Sequence, residues 1–566
     1  MRVIQSRFII FLAPVAAACG DPSAPPDDSV VAAIRISPES VTVAMGDSVD
    51  LVATALTHDG DIVPVTVTWS ISDTLFATVT PAGRLYPVRP GQPRVRAAAG
   101  AAVGEAAVMV RPGPPVTLSL EPDTLWVAEG DTASIRALAL DAWGNPIAAP
   151  GIEWSSSDES TARVNGAGLV TALRPGVLTV TGRAGVASAP ITVQAALAFT
   201  ALGGGSGFAC GVRSGDVYCW GSNLLGRVWD DPQSSTCGLH PCSLYPVRIT
   251  ASGTFVAVDG GDRFACGLTA AGQVYCFGEN DSGQLGDGTG TGSTTPVPVS
   301  LDSTATQIAV GYSHACALTP SGAALCWGTN VMAELGVDSA PDDCGFLGPL
   351  PCSRRPIPVS GPWRYTALAA GNTFTCGLLA DRSLRCWGNN GGGQLGFDTL
   401  PVWSATPLAV AGMDDVIAVS AGYAHACAVR AGGAAYCWGA NWSGQLGNNA
   451  PLYVPPGSVK PVAVVGGHQF SRLVASGSHT CGLATDGTWC WGSNGLGDLG
   501  TGDTSVADRR IPVRVTGGIR FRTLVEAQGT CALGPALLTY CWGGWILGNG
   551  IEGGSRVPVP TGAWRP

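Results

Sequence analysis

Cysteine is the residue type in this chain best placed to do chemistry. Nineteen cysteines occur, and fourteen fall into seven pairs: Cys210/Cys219, Cys266/Cys276, Cys316/Cys326, Cys376/Cys386, Cys427/Cys437, Cys481/Cys490 and Cys531/Cys541. Paired thiols either oxidise to disulfides or hold a soft metal. A spacing of nine or ten residues across a turn is unlike a zinc knuckle, so disulfides are expected. Each would close a loop of about ten residues and stabilise by roughly 2–3 kcal/mol in the loop-entropy description. Cys237/Cys242 and Cys344/Cys352 bound short segments ahead of a proline-rich strand and are expected to close two small loops. Cys19 stands alone near the N-terminus.

Other candidates are weaker. His314, His425 and His479 stand two residues before a first cysteine, where other units carry Phe208, Phe264 and Phe374. A position that accepts either histidine or phenylalanine is a packing position. Asp281 and Asp287 precede glycines, but the ordered ligand series of a calcium loop is absent, so they read as loop polarity. No nucleophile elbow, phosphate-binding loop or paired-histidine zinc motif occurs. The expectation is no catalytic residue, no cofactor and no metal. Trp229, Trp403, Trp442 and Trp545 lie in loop-like sequence and are candidate binding anchors, because exposed aromatic side chains dominate interface energetics.

The elements that must position these residues repeat. From Phe199 onward each unit carries a first cysteine, a hairpin turn, and a second cysteine followed by Trp-Gly (Phe277 in one unit). First cysteines lie 56, 50, 60, 51, 54 and 50 residues apart. Gly-Gln-Leu-Gly follows at Gly283–Gly286, Gly393–Gly396 and Gly444–Gly447, with looser forms at Ala333–Gly336 and Gly497–Gly500. A proline-rich strand and a β-branched strand ending in glycine complete the unit. Four short strands per fifty residues, seven times, is the pattern of a β-propeller.

In the third unit, pairing Thr319 with Ala323 across a three-residue turn sets Cys316 opposite Cys326 at a non-hydrogen-bonded site, the closer kind. The first unit has a two-residue Ser214-Gly215 turn. In the sixth, a turn centred on Asp486-Gly487 would misalign Cys481 and Cys490, so a shifted turn is expected. The motif set resembles the regulator of chromosome condensation repeat family over residues 199–566. That resemblance implies a seven-bladed ring.

Residues 31–195 hold a second, longer repeat of about 85 residues. Gly46-Asp47-Ser48, Trp69-Ser70-Ile71-Ser72-Asp73 and Pro90-Gly91 return as Gly130-Asp131-Thr132, Trp154-Ser155-Ser156-Ser157-Asp158 and Pro175-Gly176. Alternating strands surround them, as in a small immunoglobulin-like sandwich with the tryptophan filling the inter-sheet core. These residues resemble the bacterial immunoglobulin-like group 2 domain, which implies a spacer or stalk. Ahead of them, Arg2 and Arg7 precede an apolar run, Phe8–Ala18, too short to span a bilayer. It ends Ala16-Ala17-Ala18-Cys19-Gly20, similar to the lipobox of bacterial lipoproteins, in which the cysteine carries the lipid.

The expected fold class is therefore all-β: two Ig-like β-sandwiches followed by a seven-bladed β-propeller. The divisions are a lipoprotein signal (1–19), a tether (20–30), Ig-like domains at 31–112 and 115–195, and the propeller at 197–566. A net charge of −10 and only 13% charged residues argue against a nucleic-acid partner. Export provides the oxidising setting that disulfides need. The expectation is a monomeric, membrane-anchored envelope lipoprotein whose stalk presents a rigid propeller to a protein or glycan. The alternatives are a structural envelope component without a dedicated ligand and, more remotely, an extracytoplasmic hydrolase or lyase. Family resemblance extends to guanine-nucleotide exchange factors and to a secreted inhibitor of β-lactamases. Exchange activity is not expected of an acidic, exported chain.

Overall fold

The computed structural model describes residues 30–562 apart from 149, 224–228, 232–233, 238–239, 251, 346–347, 398–401, 453–456, 506, 528 and 545–546. The signal, Cys19, the tether and Trp545 lie outside the described residues. The chain divides into two compact units. One holds the first sandwich with residues 137–152 and 183–188; the other holds the rest of the second sandwich and the propeller.

In the first sandwich a four-stranded sheet runs Ser40–Ala44, Ala102–Arg111, Arg94–Ala99, Thr68–Ile71. Smaller sheets pair Ala33–Ser37 with Val52–Leu56 and Val49–Asp50 with Arg84–Pro87 and Ala77–Val79. Alternation along Ala102–Arg111 is strict, every second side chain being buried, as a half-covered sheet requires. Trp69 does not fill the centre of that core. It is half-buried at its margin, over Gly83, while Ile36, Leu85, Val95 and Ala97 occupy the middle. Trp154 repeats the arrangement over Gly168 in the second copy.

Seven sheets follow, each built from one contiguous stretch of chain. In blade three the strands are Gln307–Val310, His314–Leu318, Ala324–Thr329 and Pro351–Pro358, here called a to d from the ring axis outward. Neighbouring a strands pack in sequence round the ring, and Ala201–Gly205 of blade one meets Thr523–Ala527 of blade seven. The ring thus closes without exchanging a strand between its ends. Blades one and three carry a fifth strand outside d, Ser235–Cys237 and Asp342–Asp343, formed by the two cysteine-bounded insertions.

Hairpin register brings each first cysteine, on strand b, opposite its second, on strand c. The bonded pairs are Cys210–Cys219, Cys266–Cys276, Cys316–Cys326, Cys376–Cys386, Cys427–Cys437, Cys481–Cys490 and Cys531–Cys541. Their Cα separations are 4.0–4.1 Å, as at the close sites of an antiparallel ladder. In blade six the turn is Thr485-Asp486, closed by Ala484 opposite Gly487, one residue earlier than a turn on Asp486-Gly487. That shift aligns Cys481 with Cys490. Cys237–Cys242 and Cys344–Cys352 are also bonded, with Cα separations of 5.8 and 6.0 Å.

In blades one to five the a strand ends at or just before a glycine where neighbouring blades nearly touch; blade six has Ser476 there. A Cβ on Gly261, Gly311, Gly371 or Gly422 would run into the carbonyl oxygen of Gly311, Gly371, Gly422 or Ser476 respectively, in the next blade. It would also strike the ring of the same blade's Phe264, His314, Phe374 or His425. Backbone bonds complete this collar: Ser206 N–H to Gly261 O (3.0 Å), Asn372 N–H to Gly422 O (3.2 Å) and Tyr423 N–H to Ser476 O (3.2 Å). Replacing Gly371 with alanine is expected to destabilise the propeller by roughly 1–3 kcal/mol through overpacking. Gly477, with open space at its Cβ position, should tolerate alanine within about 0.5 kcal/mol. Denaturant unfolding of G371A and G477A against the parent chain measures both.

Candidate functional site

Two faces of the ring differ in what they carry. The b–c hairpin tips form one face. The collar, the ends of the c strands and the starts of the d strands form the other. Four aromatic side chains of the described propeller are more than a third exposed: Tyr312 (39%), Trp403 (43%), Tyr423 (51%) and Trp442 (41%). Tyr312 and Tyr423 directly follow collar glycines. Trp442 lies in the corner after strand c of blade five, and Trp403 opens strand d of blade four opposite Asn389. All four lie on the collar face. Solvent-facing aromatics on one face make that face the candidate for binding. Two of the four sequence candidates, Trp403 and Trp442, are therefore solvent-facing.

Trp229 is not. It is 1% exposed, and its indole N–H donates to Ser243 Oγ at 3.1 Å. The reason lies in the corner motif. In blades two to six a buried asparagine accepts the N–H of the corner leucine: Asn280 from Leu285, Asn330 from Leu335, Asn390 from Leu395, Asn441 from Leu446, Asn494 from Leu499, at 3.0–3.4 Å. In blade one Asn223 accepts the N–H of Trp229 (3.4 Å), so Trp229 occupies the leucine's place. The next blade explains the larger side chain. Elsewhere the indole N–H of Trp327, Trp387, Trp438, Trp491 or Trp542 donates to a carbonyl of the preceding corner at 2.9–3.0 Å. Blade two has Phe277 there, smaller and without a donor, and Trp229 shares its apolar cluster. The sequence signal for these buried asparagines was Trp-Gly-x-Asn, present in five blades and as Phe277-Gly278-Glu279-Asn280 in a sixth.

The cysteines take no part in a site. On the c strands Cys219, Cys276, Cys326, Cys386, Cys437, Cys490 and Cys541 are all buried, as are their strand-b partners Cys210, Cys266, Cys316, Cys376, Cys427, Cys481 and Cys531. Each pair joins the apolar clusters that fill the blades, and none lines the axial tunnel described below. Oxidation has turned the residue type most suited to chemistry into a structural staple.

The three histidines are inter-blade packing groups with a polar tip. Nε2 of His314, His425 and His479 lies 2.9 Å from Oγ1 of Thr375, Thr480 and Thr530, each in the following blade. Where the side chain is Phe208, Phe264 or Phe374, the following blade offers Ala265, Ala315 or Ala426 in the same cluster. Histidine thus meets threonine and phenylalanine meets alanine. Burial pushes His314 down to about 4 and His425 to about 3, and lowers His479. Asp287 accepts bonds from Thr289 and Asn280, which accounts for its place in the loop.

The a strands enclose a tunnel of about 580 Å³ containing Asp259, Arg472, Glu526, Ser420 and Gln307. It opens on the collar face through a narrower mouth of about 80 Å³, lined by the collar glycines, Tyr312, Asn372, Tyr423 and Glu526. Most polar side chains here cap the free edges of neighbouring a strands. Asp259 accepts the Val310 N–H (3.0 Å), Ser420 accepts the Ala475 N–H (2.9 Å), and the Gln307 amide pairs with both backbone groups of Leu368. Burial raises Asp259 and Glu526 each to about 7, and each carboxylate is the other's neighbour across blade one. Ser476 and the Gly477 backbone lie beside Glu526 and act against that rise. Blade seven's shorter turn, with Ala527 opposite Gly529, places Glu526 one step before the collar. Its counterparts by register are Gly260, Val310, Ala370 and Ala421.

The second sandwich touches the propeller near the hairpin tips of blades one and seven. The Arg213 guanidinium, at the end of strand b, donates from Nε to Glu129 at 2.8 Å. Ala128 and Ala196 cluster with Leu538, with Trp126 and Tyr540 packed alongside.

A histidine with a lowered folded-state value holds fewer protons than in the unfolded chain, where it titrates near 6.5. Its contribution is complete above that value and is lost as pH falls toward 3–4. The paired variant H425F/T480A should therefore gain stability relative to the parent as pH falls from 6.5 to 3.5. Thermal unfolding across that range measures the difference, and a pH-independent offset would refute the pairing rule.

Comparison with known proteins places this geometry. A profile of the RCC1-like domain matches residues 176–534, and one of the bacterial Ig-like domain (group 2) matches 30–110 and 119–193. The Ultraviolet-B receptor UVR8 of Arabidopsis thaliana is 29% identical over 196 residues, 33% of this chain and 43% of that protein, so the chain spans less than half of that relative. Human WBSCR16 superposes with a TM-score of 0.51 at 20% identity, covering 60% of this chain and 87% of that one. Prp20p of Saccharomyces cerevisiae superposes with a TM-score of 0.50 at 20% identity, covering 61% and 85%. At that identity the likeness concerns the fold. The chain belongs to the RCC1-like domain family, with two bacterial Ig-like domains ahead of its propeller.

Proposed function

We propose that this chain is an exported lipoprotein, anchored through Cys19, whose propeller binds a protein or glycan on its collar face. The observation that carries the reading is the division between faces. The second sandwich meets the hairpin side of blades one and seven, whereas the exposed aromatics Tyr312, Trp403, Tyr423 and Trp442 lie on the other side. A support attached behind leaves the aromatic face open to a partner. Nine disulfides and bacterial Ig-like domains fit an exported protein, because such bonds persist only in oxidising surroundings. The two insertions, each bonded internally, brace the same face near blades one and three.

A hydrolytic reading draws on the tunnel, where Asp259 and Glu526 are the kind of paired carboxylates that acid–base chemistry uses. The bond from the Val310 N–H to Asp259 weighs against it, since that carboxylate already holds the next blade's backbone in place.

Two measurements test the lead reading. Cross-linking of the intact chain in its native envelope should recover a partner that W403A/W442A/Y423A loses, with unchanged thermal unfolding. Loss of one anchor is expected to weaken binding by at least about tenfold, or roughly 1.4 kcal/mol. Recovery of the same partner by the triple variant would overturn the assignment of the face. Separately, C19S should leave the membrane fraction; retention there would refute lipid anchoring.

A further inference from the structure

We propose that the collar face docks a protein that inserts one basic side chain, lysine or arginine, into the tunnel mouth between Tyr312 and Tyr423 and onto Glu526. This rests on the collar face being the binding face and adds the chemistry of its partner.

The mouth is shaped for a slender group. It encloses about 80 Å³, and nearly half of its lining residues are glycine, so little side-chain bulk obstructs entry. Tyr312 and Tyr423 stand at its edge and are 39% and 51% exposed. Aromatic faces attract cations, most strongly where water is displaced. At the layer just below the collar, Gly260, Val310, Ala370 and Ala421 offer no charge, and Glu526 alone presents one. No ion pair to Glu526 occurs among the described residues; the groups beside it are Ser476 and the Gly477 backbone. Arg472, deeper in the tunnel, is coupled to Asp259 and does not neutralise Glu526.

Charge around the entrance points the same way. Asp262 and Glu279 flank the single cation Arg263, which pairs with both at 3.3 and 3.1 Å. Asp259 lies below. Among the residues that line the mouth and tunnel, the carboxylates Asp259 and Glu526 outnumber the one guanidinium, Arg472. A desolvated carboxylate without a cation is costly, and an incoming ammonium or guanidinium supplies the missing charge while its stem passes between the tyrosines. An acidic or neutral partner offers no such gain.

The test uses the intact chain and a phage-displayed library of cyclic nonapeptides, with Y312A/Y423A as counter-selection to define the collar face. The expected result is enrichment of peptides with one essential lysine or arginine. Replacing that residue with norleucine should weaken binding at least tenfold. E526Q should weaken it by a similar factor, with no further loss when the two changes are combined. E526Q removes a desolvated charge, so folding is expected to be at least as stable, and thermal unfolding checks this. E526A serves as a second variant. Collar-face peptides that lack a basic residue, or that bind E526Q as tightly as the parent, would overturn this inference and leave the binding face standing. Failure to select any peptide sensitive to Y312A/Y423A would count against both.

Discussion

The ring depends on one steric condition: at the ends of the inner strands of blades one to five, a carbonyl of the next blade approaches a backbone that has no Cβ. Gly205, Gly261, Gly311, Gly371 and Gly422 meet that condition, and the approach is close enough that alanine has no room. Blade spacing at the axis follows from it, and so does the covering ring. Phe264, His314, Phe374 and His425 lie over the glycine of their own blade while reaching the next one. Close packing of this kind transmits small size differences, so side chains along each interface must match in pairs.

Two further devices work outward from the axis. Disulfides lie within blades, from Cys210–Cys219 in the first to Cys531–Cys541 in the last, and staple each central hairpin independently of ring closure. Tryptophans lie between blades: each indole rests on the preceding corner's final glycine and, in five cases, bonds to a carbonyl of that corner. Gly548 against Trp220 repeats the contact across the seam between the last blade and the first. The seam therefore repeats the packing contact of the other interfaces, without the indole hydrogen bond among the described residues, and needs no shared strand. Where the pattern fails, at Phe277, the preceding corner answers with Trp229. That exchange is a local volume and donor compensation, and it takes Trp229 out of solvent.

Function follows from what the interfaces leave over. Inter-blade contacts consume the three strand-b histidines and the tunnel-lining Asp259, Ser420 and Gln307, while the corner asparagines bond within their own blades. The support meets the hairpin side through Glu129 and Arg213. Among the described residues, the collar side carries exposed tyrosines and tryptophans and one carboxylate in the mouth. Blade seven breaks the repeat by a single residue, and that departure puts Glu526 where other blades have small or apolar side chains.

The all-β class, the propeller repeat and both sandwiches were legible from spacing, because strand alternation and turn length are local properties of the chain. Cys276, Cys386 and Cys437 each sit ten residues after their partners, across a three-residue turn that leaves one register for the pair. The role of the histidines was legible too, through their exchange with phenylalanine. The position of Trp69 and Trp154 at the core margin was not, since a sandwich core admits several places for one large ring. Nor was the fate of Trp229, since burial there depends on Phe277, some fifty residues later and in another blade. Which aromatics share a face, and which carboxylates meet in the tunnel, were likewise decided only in three dimensions. Local sequence determined the blade; closing seven blades into a ring determined the site, because side chains from separate repeats become neighbours only when the last blade meets the first.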